Sequence, residues 1–169
     1  SGDESEYYLG ENASKKNLIN ALSKSYERIH LGTHSVPPYW NGLTSESSIV
    51  LDSDIGDFLL TTSEISGLDI RANVVILASC NSSIEGFDSL YKSFLVAGSN
   101  SVIYSNWDLE TQSSNAFTEE MFKNLWLDED LPLHEAMRAA ILKLKDPATG
   151  AKYISPSYWA NFTIAYSSI

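Results

Sequence analysis

Apolar residues along this chain follow two spacings, one typical of buried strands and the other typical of helices. Strand-like segments lie at 28–33, 73–80, 101–105 and 159–166, and the second of these is apolar without alternation. A continuous apolar run is typical of a strand that is covered on both faces of a parallel sheet. Between these strands, apolar residues recur at helical spacing in 14–24, 61–68, 87–97, 112–126 and 132–145.

The boundaries of these segments carry residues that often begin helices and turns. Thr61 and Glu64 have the spacing of a capping box, and Pro132 stands where the last long helix begins. Segments 49–51 and 57–60 predict a small hairpin inserted into the alternation of strands and helices. The whole order predicts an α/β fold with a mostly parallel sheet, helices on both faces and one inserted hairpin.

Length and composition fit one domain over residues 1–169, with enough hydrophobic residues (43%) for a sizeable core. Eleven basic residues against 22 acidic ones give a net charge of −11, which argues against nucleic acid and anionic membranes as partners. A basic peptide or protein surface fits that charge better. A single cysteine excludes an internal disulfide and fits a reducing compartment, so we expect a cytoplasmic location. No apolar run approaches the roughly 20 residues that span a bilayer.

Two chemically active side chains follow neighbouring strands of the predicted sheet. His34 ends the strand at 28–33, and Cys80 ends the strand at 73–79. Strands that follow one another in sequence pair about two-thirds of the time, and sites in such sheets form at the carboxyl ends of the strands. An imidazole beside a thiol is the minimum needed for a cysteine nucleophile with its own base.

Structural explanations exist for the same two residues and stay open at this point. A lone cysteine that ends an apolar strand is often a small buried hydrophobe, and a lone histidine at a strand end is often a surface group. One cysteine and three scattered histidines offer no metal-ligand spacing, so we expect no metal. We expect His30, in the middle of its strand, to be a core imidazole and Trp126 to pack at a helix–helix joint.

Segments around these residues resemble those of CHAT domains, which are caspase-like cysteine proteases of clan CD. The similarity is collinear and covers nearly the whole chain. It lies in Tyr8–Ala13, Ile29–His34, Val74–Cys80, Phe94–Ile103 with Ser105–Asp108, Glu135–Ala140 and Tyr158–Phe162.

The resemblance implies a three-layer αβα caspase-like sandwich and a cysteine endopeptidase that cleaves a protein partner without a cofactor. His34 would be the general base and Cys80 the nucleophile, and the backbone N–H groups of Ser35 and Cys80 would form the oxyanion hole. The family generally has glycine where Ser35 stands, and the segment 81–87 also departs from its pattern. The alternative is therefore a catalytically silent caspase-like domain that serves as an interaction or sensor module.

The segment Asn106, Trp107 and Asp108 is similar to the related separases, which also have Trp-Asp at this place. The resemblance implies that these three residues form the P1 pocket and that Asp108 receives a basic P1 side chain. The structural alternative is that Asp108 caps the helix that begins near residue 112.

One expected element of the family fold has no counterpart in this sequence. Caspase-like sheets have the strand order 2-1-3-4-5-6, and residues 6–9 match strand 2, whereas strand 1 would precede Ser1. We therefore expect the chain to be the C-terminal part of a larger protein. The open edge of the strand at 27–33 would then pair with the preceding polypeptide or contact a preceding repeat domain.

Overall fold

The fold is built on a central sheet with helices on both faces. The computed structural model describes residues 5–52, 56–79, 89–108, 110–128, 130–149 and 152–168. The described strands are β1 (Ser25–Leu31), β2 (Ser35–Val36), β3 (Ser48–Val50), β4 (Leu59–Thr61), β5 (Arg71–Leu77), β6 (Ser101–Ser105) and β7 (Phe162–Tyr166). The described helices are α1 (Lys15–Leu22), α2 (Thr62–Ser66), α3 (Leu90–Val96), α4 (Thr111–Leu127), α5 (Leu133–Lys145) and α6 (Pro156–Trp159).

The central sheet has the strand order β1-β5-β6-β7. The first three strands are parallel, with Ile29 opposite Val75 and Val75 opposite Val102, while β7 runs antiparallel to β6. The mostly parallel sheet is thus confirmed, and so is the pairing of the two strands that precede His34 and Cys80. In the described residues, β1 is the outermost strand on its side.

Three short antiparallel strands, in the order β2-β3-β4, form a second sheet. The predicted hairpin is confirmed as β3 with β4, in which Ile49 lies opposite Leu60. The prolines and small polar residues of segment 35–48 favour a loop, but the segment opens with β2, in which Ser35 pairs with Ile49. Two residues are too short to produce an alternating pattern, so this strand escaped the sequence analysis.

Two separate apolar layers cover the central sheet and confirm the αβα sandwich. On one face, Val75 and Leu77 of β5 pack with Leu22, Ile65 and Phe94 from α1, α2 and α3. Burial of this face favours the sheet by roughly 25 cal/mol per Å² of apolar surface removed from water.

The other face of the sheet is covered by α4 and α5. Ile76 of β5 packs there with Met121 and Ala140, both fully buried. Phe117 of α4 stacks on Phe162 of β7, with ring centroids 3.8 Å apart and planes 6° from parallel. This contact ties the last strand to the helical layer.

Side-chain caps begin two of the short helices, and one of them is the capping box that the sequence predicted. Thr61 accepts from the N–H of Glu64, whose carboxylate accepts from the N–H of Thr61, which completes the capping box. Ser14 accepts from Asn17 at the start of α1. These caps satisfy N–H groups that a helix cannot pair internally.

The expectation of a strand at residues 6–9 is wrong. These residues are irregular and lead into a 3₁₀ turn at Gly10–Asn12. The segment is held by Glu6, whose carboxylate lies 2.6 Å from the ammonium of Lys24, and this contact lowers the pKa of Glu6 to about 2. Tyr7 and Leu9 are about four-fifths exposed, so their strand propensity has no neighbouring strand to act on.

Two residues expected to be buried lie at the surface beside β1. Trp126 was expected in a helix–helix joint but is 59% exposed. His30 was expected to be a core imidazole; its ring packs edge-on against Phe122 of α4 and burial lowers its pKa, but the residue as a whole is exposed. Both residues lie near the outer edge of the sheet, where no further element covers them in the described part of the chain.

Gly98 gives a direct test of the packing behind α3. It follows this helix at φ +114°, and an added Cβ would lie 2.7 Å from the carbonyl oxygen of Ile70. We expect Gly98→Ala to lower the free energy of unfolding by about 1–3 kcal/mol, because both the backbone angle and this contact become strained.

The matched control is Gly67→Ala, because Gly67 has φ −84° and an added Cβ there would meet only ordinary contacts. This control should change stability by less than about 1 kcal/mol. Urea unfolding of the three proteins is the measurement, and equal midpoints for both variants would contradict the packing around Gly98.

Candidate functional site

The carboxyl ends of the three parallel strands meet at one edge of the central sheet. The N–H of Ala78, directly after β5, donates to the carbonyl of Leu31 at 3.0 Å. The hydroxyl of Ser105, which ends β6, donates to the carbonyl of Ser79 at 2.5 Å. Neighbouring strands lie about 4.8 Å apart, so segments leaving β1 and β6 begin about 10 Å apart with β5 between them.

His34 lies in the short segment that joins the two sheets. Its carbonyl accepts from the N–H of Val50 at 2.8 Å, and the neighbouring Thr33 hydroxyl donates to the Val50 carbonyl at 2.6 Å. His34 is therefore tied to β3 through its own carbonyl and through the side chain of Thr33, while the residue itself remains exposed. Ser35, the predicted oxyanion donor, follows at once as the first residue of β2.

Cys80 lies outside the described residues, so its predicted roles as nucleophile and as oxyanion donor stay predictions. The chain is described up to Ser79, which is 3% exposed and anchored by Ser105. The segment 81–88, whose sequence departs from the family pattern, also lies outside the described residues. What the structure gives is the strand order, in which β5 lies between β1, the strand before His34, and β6, the strand before Asp108.

Asn106, Trp107 and Asp108 form the loop that directly follows β6. All three are exposed, and Trp107 keeps 41% of its surface accessible. The indole N–H of Trp107 points to the carbonyl of Ser157 at 3.4 Å, and the amide of Asn106 donates to Thr163 of β7 at 2.8 Å. The predicted P1 residues thus share one loop at the same edge of the sheet as His34.

A buried amide side chain fixes this loop, and sequence analysis missed it. Asn161 is 1% exposed, and its Oδ1 accepts from the N–H groups of Asn106 at 2.7 Å and Trp107 at 2.8 Å. Its Nδ2 donates to the carbonyls of Trp107 at 2.9 Å and Asp108 at 3.4 Å. The signal in the sequence is a polar residue inside the otherwise apolar segment that precedes β7.

The structural alternative for Asp108 is wrong, because Glu110 caps α4. The Glu110 carboxylate accepts from the N–H groups of Gln112 at 3.1 Å and Ser113 at 2.7 Å. The bond from Ser113 is the main cause of the lowered pKa of Glu110. The N-cap residue of α4 is therefore Glu110 and not Asp108, which is an exposed residue at the end of the loop.

The described residues contain neither a metal-binding cluster nor a membrane-spanning helix. No group of three or more histidine, cysteine or acidic side chains in the described ranges could hold a metal ion. Among the helices described, none is long and apolar enough to cross a bilayer.

Comparison with known proteins gives one family and two relatives. Residues 1–167 match the family model of the CHAT domain. Tetratricopeptide repeat protein 28 of Mus musculus and that of Homo sapiens are each 22% identical over 200 aligned positions, which cover 95% of this chain. The chain spans 8% of the length of these relatives.

Proposed function

We propose that this chain, which belongs to the CHAT domain family, is a cysteine endopeptidase with Cys80 as nucleophile and His34 as general base. The observation that carries the proposal is the parallel pairing of β1 with β5, closed by the bond from Ala78 to Leu31. This pairing directs the segments that lead to His34 and Cys80 to one edge. The family fold is caspase-like, which agrees with the αβα sandwich.

The proposed reaction uses the chain's own residues. The Cys80 thiolate attacks the scissile carbonyl carbon, and backbone N–H groups of Ser35 and Cys80 hold the resulting oxyanion. The C–N bond then breaks while the His34 imidazolium gives its proton to the leaving amine. Water attacks the thioester, His34 takes a proton from that water, and the acid product leaves as the Cys80 thiolate is restored.

Replacing either member of the dyad should abolish cleavage of a partner protein. We expect Cys80→Ala and His34→Ala each to lower kcat by at least 1,000-fold, to the residual rate that binding and the oxyanion hole sustain. The measurement is a gel assay of partner cleavage in which each purified variant carries the other domains of the longer natural protein. The unsubstituted protein, the parent of these variants, is assayed beside them.

The matched control for the base is His134→Ala. His134 lies at the start of α5 with 65% of its side chain exposed, so this variant should cleave like the parent. Cleavage by Cys80→Ala or His34→Ala at the parent rate would rule out the dyad.

A catalytically silent interaction or sensor module is the second candidate. It is favoured by Ser35, which stands where the family generally has glycine. The names of the relatives refer to tetratricopeptide repeats, and binding of a protein partner would fit such a repeat protein. In that case neither the parent nor any dyad variant would turn over a substrate, and Cys80→Ala would bind the partner as the parent does.

We further propose that the endopeptidase prefers a basic P1 residue, received by Asp108. The support is the exposed position of Asp108 at the end of the Asn106–Trp107–Asp108 loop, in a chain of net charge −11. A carboxylate desolvated against an arginine side chain forms a strong charge-assisted contact.

Asp108→Asn should lower kcat/KM for arginine P1 peptides by about 30- to 4,000-fold, which corresponds to about 2–5 kcal/mol. Profiling of a peptide library with both proteins is the measurement. Asp128→Asn is the control, because Asp128 is an exposed carboxylate at the far end of α4. A parent preference for P1 aspartate, or for an apolar P1 residue, would contradict the assignment.

We propose that another segment of a longer parent protein pairs with the outer edge of β1. The Leu31 carbonyl faces β5, and backbone groups alternate along a strand, so those of Tyr26, Arg28 and His30 face the open edge. A preceding polypeptide with a repeat domain fits the relatives, of which this chain covers 8%. The cytoplasm is the location we propose for the parent protein.

Alone, the 169-residue chain should self-associate through this edge. Arg28→Pro removes one outward N–H group and should shift the native mass toward the monomer. Arg28→Ala is the matched control, because both variants lose the guanidinium contact to the Leu125 carbonyl but alanine keeps the N–H. A well-folded monomeric parent chain in native mass spectrometry would contradict the proposal.

A further inference from the structure

We infer that Asn161 is a positioning residue that sets the specificity of the proposed peptidase by holding the P1 loop in its bound shape. The inference rests on the proposed function, because it assigns a role to a residue outside the dyad and outside the pocket itself. Asn161 contacts the backbone of this loop, and its side chain is buried beneath it.

The hydrogen bonds of Asn161 use both ends of its amide. Oδ1 accepts from two successive N–H groups, those of Asn106 and Trp107, and Nδ2 donates to the next two carbonyls, those of Trp107 and Asp108. One planar side chain therefore pairs with donors and acceptors of three consecutive residues. Among uncharged side chains, only those of asparagine and glutamine carry an oxygen acceptor and an NH2 donor on one planar amide.

The backbone of Asn161 holds the same loop from the side of β7. Its carbonyl accepts from the side-chain amide of Asn106 at 2.9 Å and from the N–H of Asn106 at 3.0 Å. Antiparallel pairing continues this contact, since Ser105 lies opposite Phe162. The last strand pair is Ser105 with Phe162, and the side chain of Asn161 continues the hydrogen bonding to the next two residues, Asn106 and Trp107.

This arrangement couples the pocket to the core. Asn161 is followed by Phe162, which is buried and stacks on Phe117 of α4, so the amide lies next to a residue that is anchored in the core. Binding an arginine side chain at Asp108 needs a loop that is already ordered, because ordering it during binding would reduce affinity. A loop held in this way discriminates between P1 side chains, whereas a loose one does not.

The test uses Asn161→Ala and Asn161→Asp with Asn100→Ala as the matched control. Asn161→Asp keeps an oxygen for the N–H groups of Asn106 and Trp107 but places a second oxygen against the carbonyls that Nδ2 now contacts. Asn100 lies at the opposite end of β6, and its side chain donates to Asn73. Circular dichroism identifies any variant that fails to fold. If one Asn161 variant does not fold, the test is made with the other.

Two measurements are made on each folded variant. The first is amide hydrogen exchange by NMR, with the N–H of Trp107 as the reporter, because it donates to Asn161 Oδ1 at 2.8 Å. The second is the ratio of kcat/KM for arginine P1 against norleucine P1 peptides, with kcat and KM resolved separately. Alkylation of Cys80 by iodoacetamide serves as a readout of the dyad that does not depend on the pocket.

We expect Asn161→Ala to speed exchange at Trp107 at least tenfold and to lower the arginine preference at least tenfold through a raised KM. Asn161→Asp should lose part of that preference, and Asn100→Ala should match the parent in all readouts. Cys80 alkylation should be unchanged throughout.

An unchanged exchange rate at the N–H of Trp107 in Asn161→Ala would show that Asn161 does not hold the loop. Faster exchange with an unchanged arginine preference would overturn the specificity role while leaving the peptidase intact. If the unsubstituted protein cleaves no peptide, both the proposed function and this specificity role are wrong. The exchange data then still report whether Asn161 orders the loop.

Discussion

The parallel alignment of β1, β5 and β6 is the constraint on which the candidate site depends. Because the three strands run in the same direction, the chain leaves all of them at the same edge, toward His34, Ser79 and the loop at Asn106. Backbone and hydroxyl bonds at the strand ends, from Ala78 to Leu31 and from Ser105 to Ser79, hold this convergence. An antiparallel neighbour in the middle would send one of these segments to the opposite side.

The segments at this edge are held by contacts of different kinds. His34 is tied through its backbone to β3 of the small sheet, which leaves its imidazole exposed. The loop at Asn106 is tied by the buried side chain of Asn161, and the helix that follows is capped by Glu110. The residues of the candidate site at His34 and in this loop thus stay exposed while the backbone beneath them is held, which is the usual division between a scaffold and its loops.

Sequence patterns predicted the parts of the fold in which local and tertiary forces agree. The strand at Ser101–Ser105 and the Thr61–Glu64 capping box appeared as expected, because burial and local hydrogen bonding favour the same structure there. The strand predicted at residues 6–9 is absent because strand propensity needs a neighbouring strand to pair with. The burial predicted for Trp126 was wrong because apolar periodicity does not show which faces of a helix are covered. Asn161 was missed because its partners lie more than 50 residues away in sequence.

The central claim is that the thiol of Cys80 is activated by His34. It is tested most directly by the pH dependence of iodoacetamide alkylation, which reports on Cys80 alone because the chain has one cysteine. The account predicts that the alkylation rate of the unsubstituted protein reaches half its maximum at a pH clearly below about 8.5, the pKa of a free thiol. In His34→Ala this midpoint should shift toward that value. Identical curves for the two proteins, or a parent midpoint at or above that of a free thiol, would contradict it.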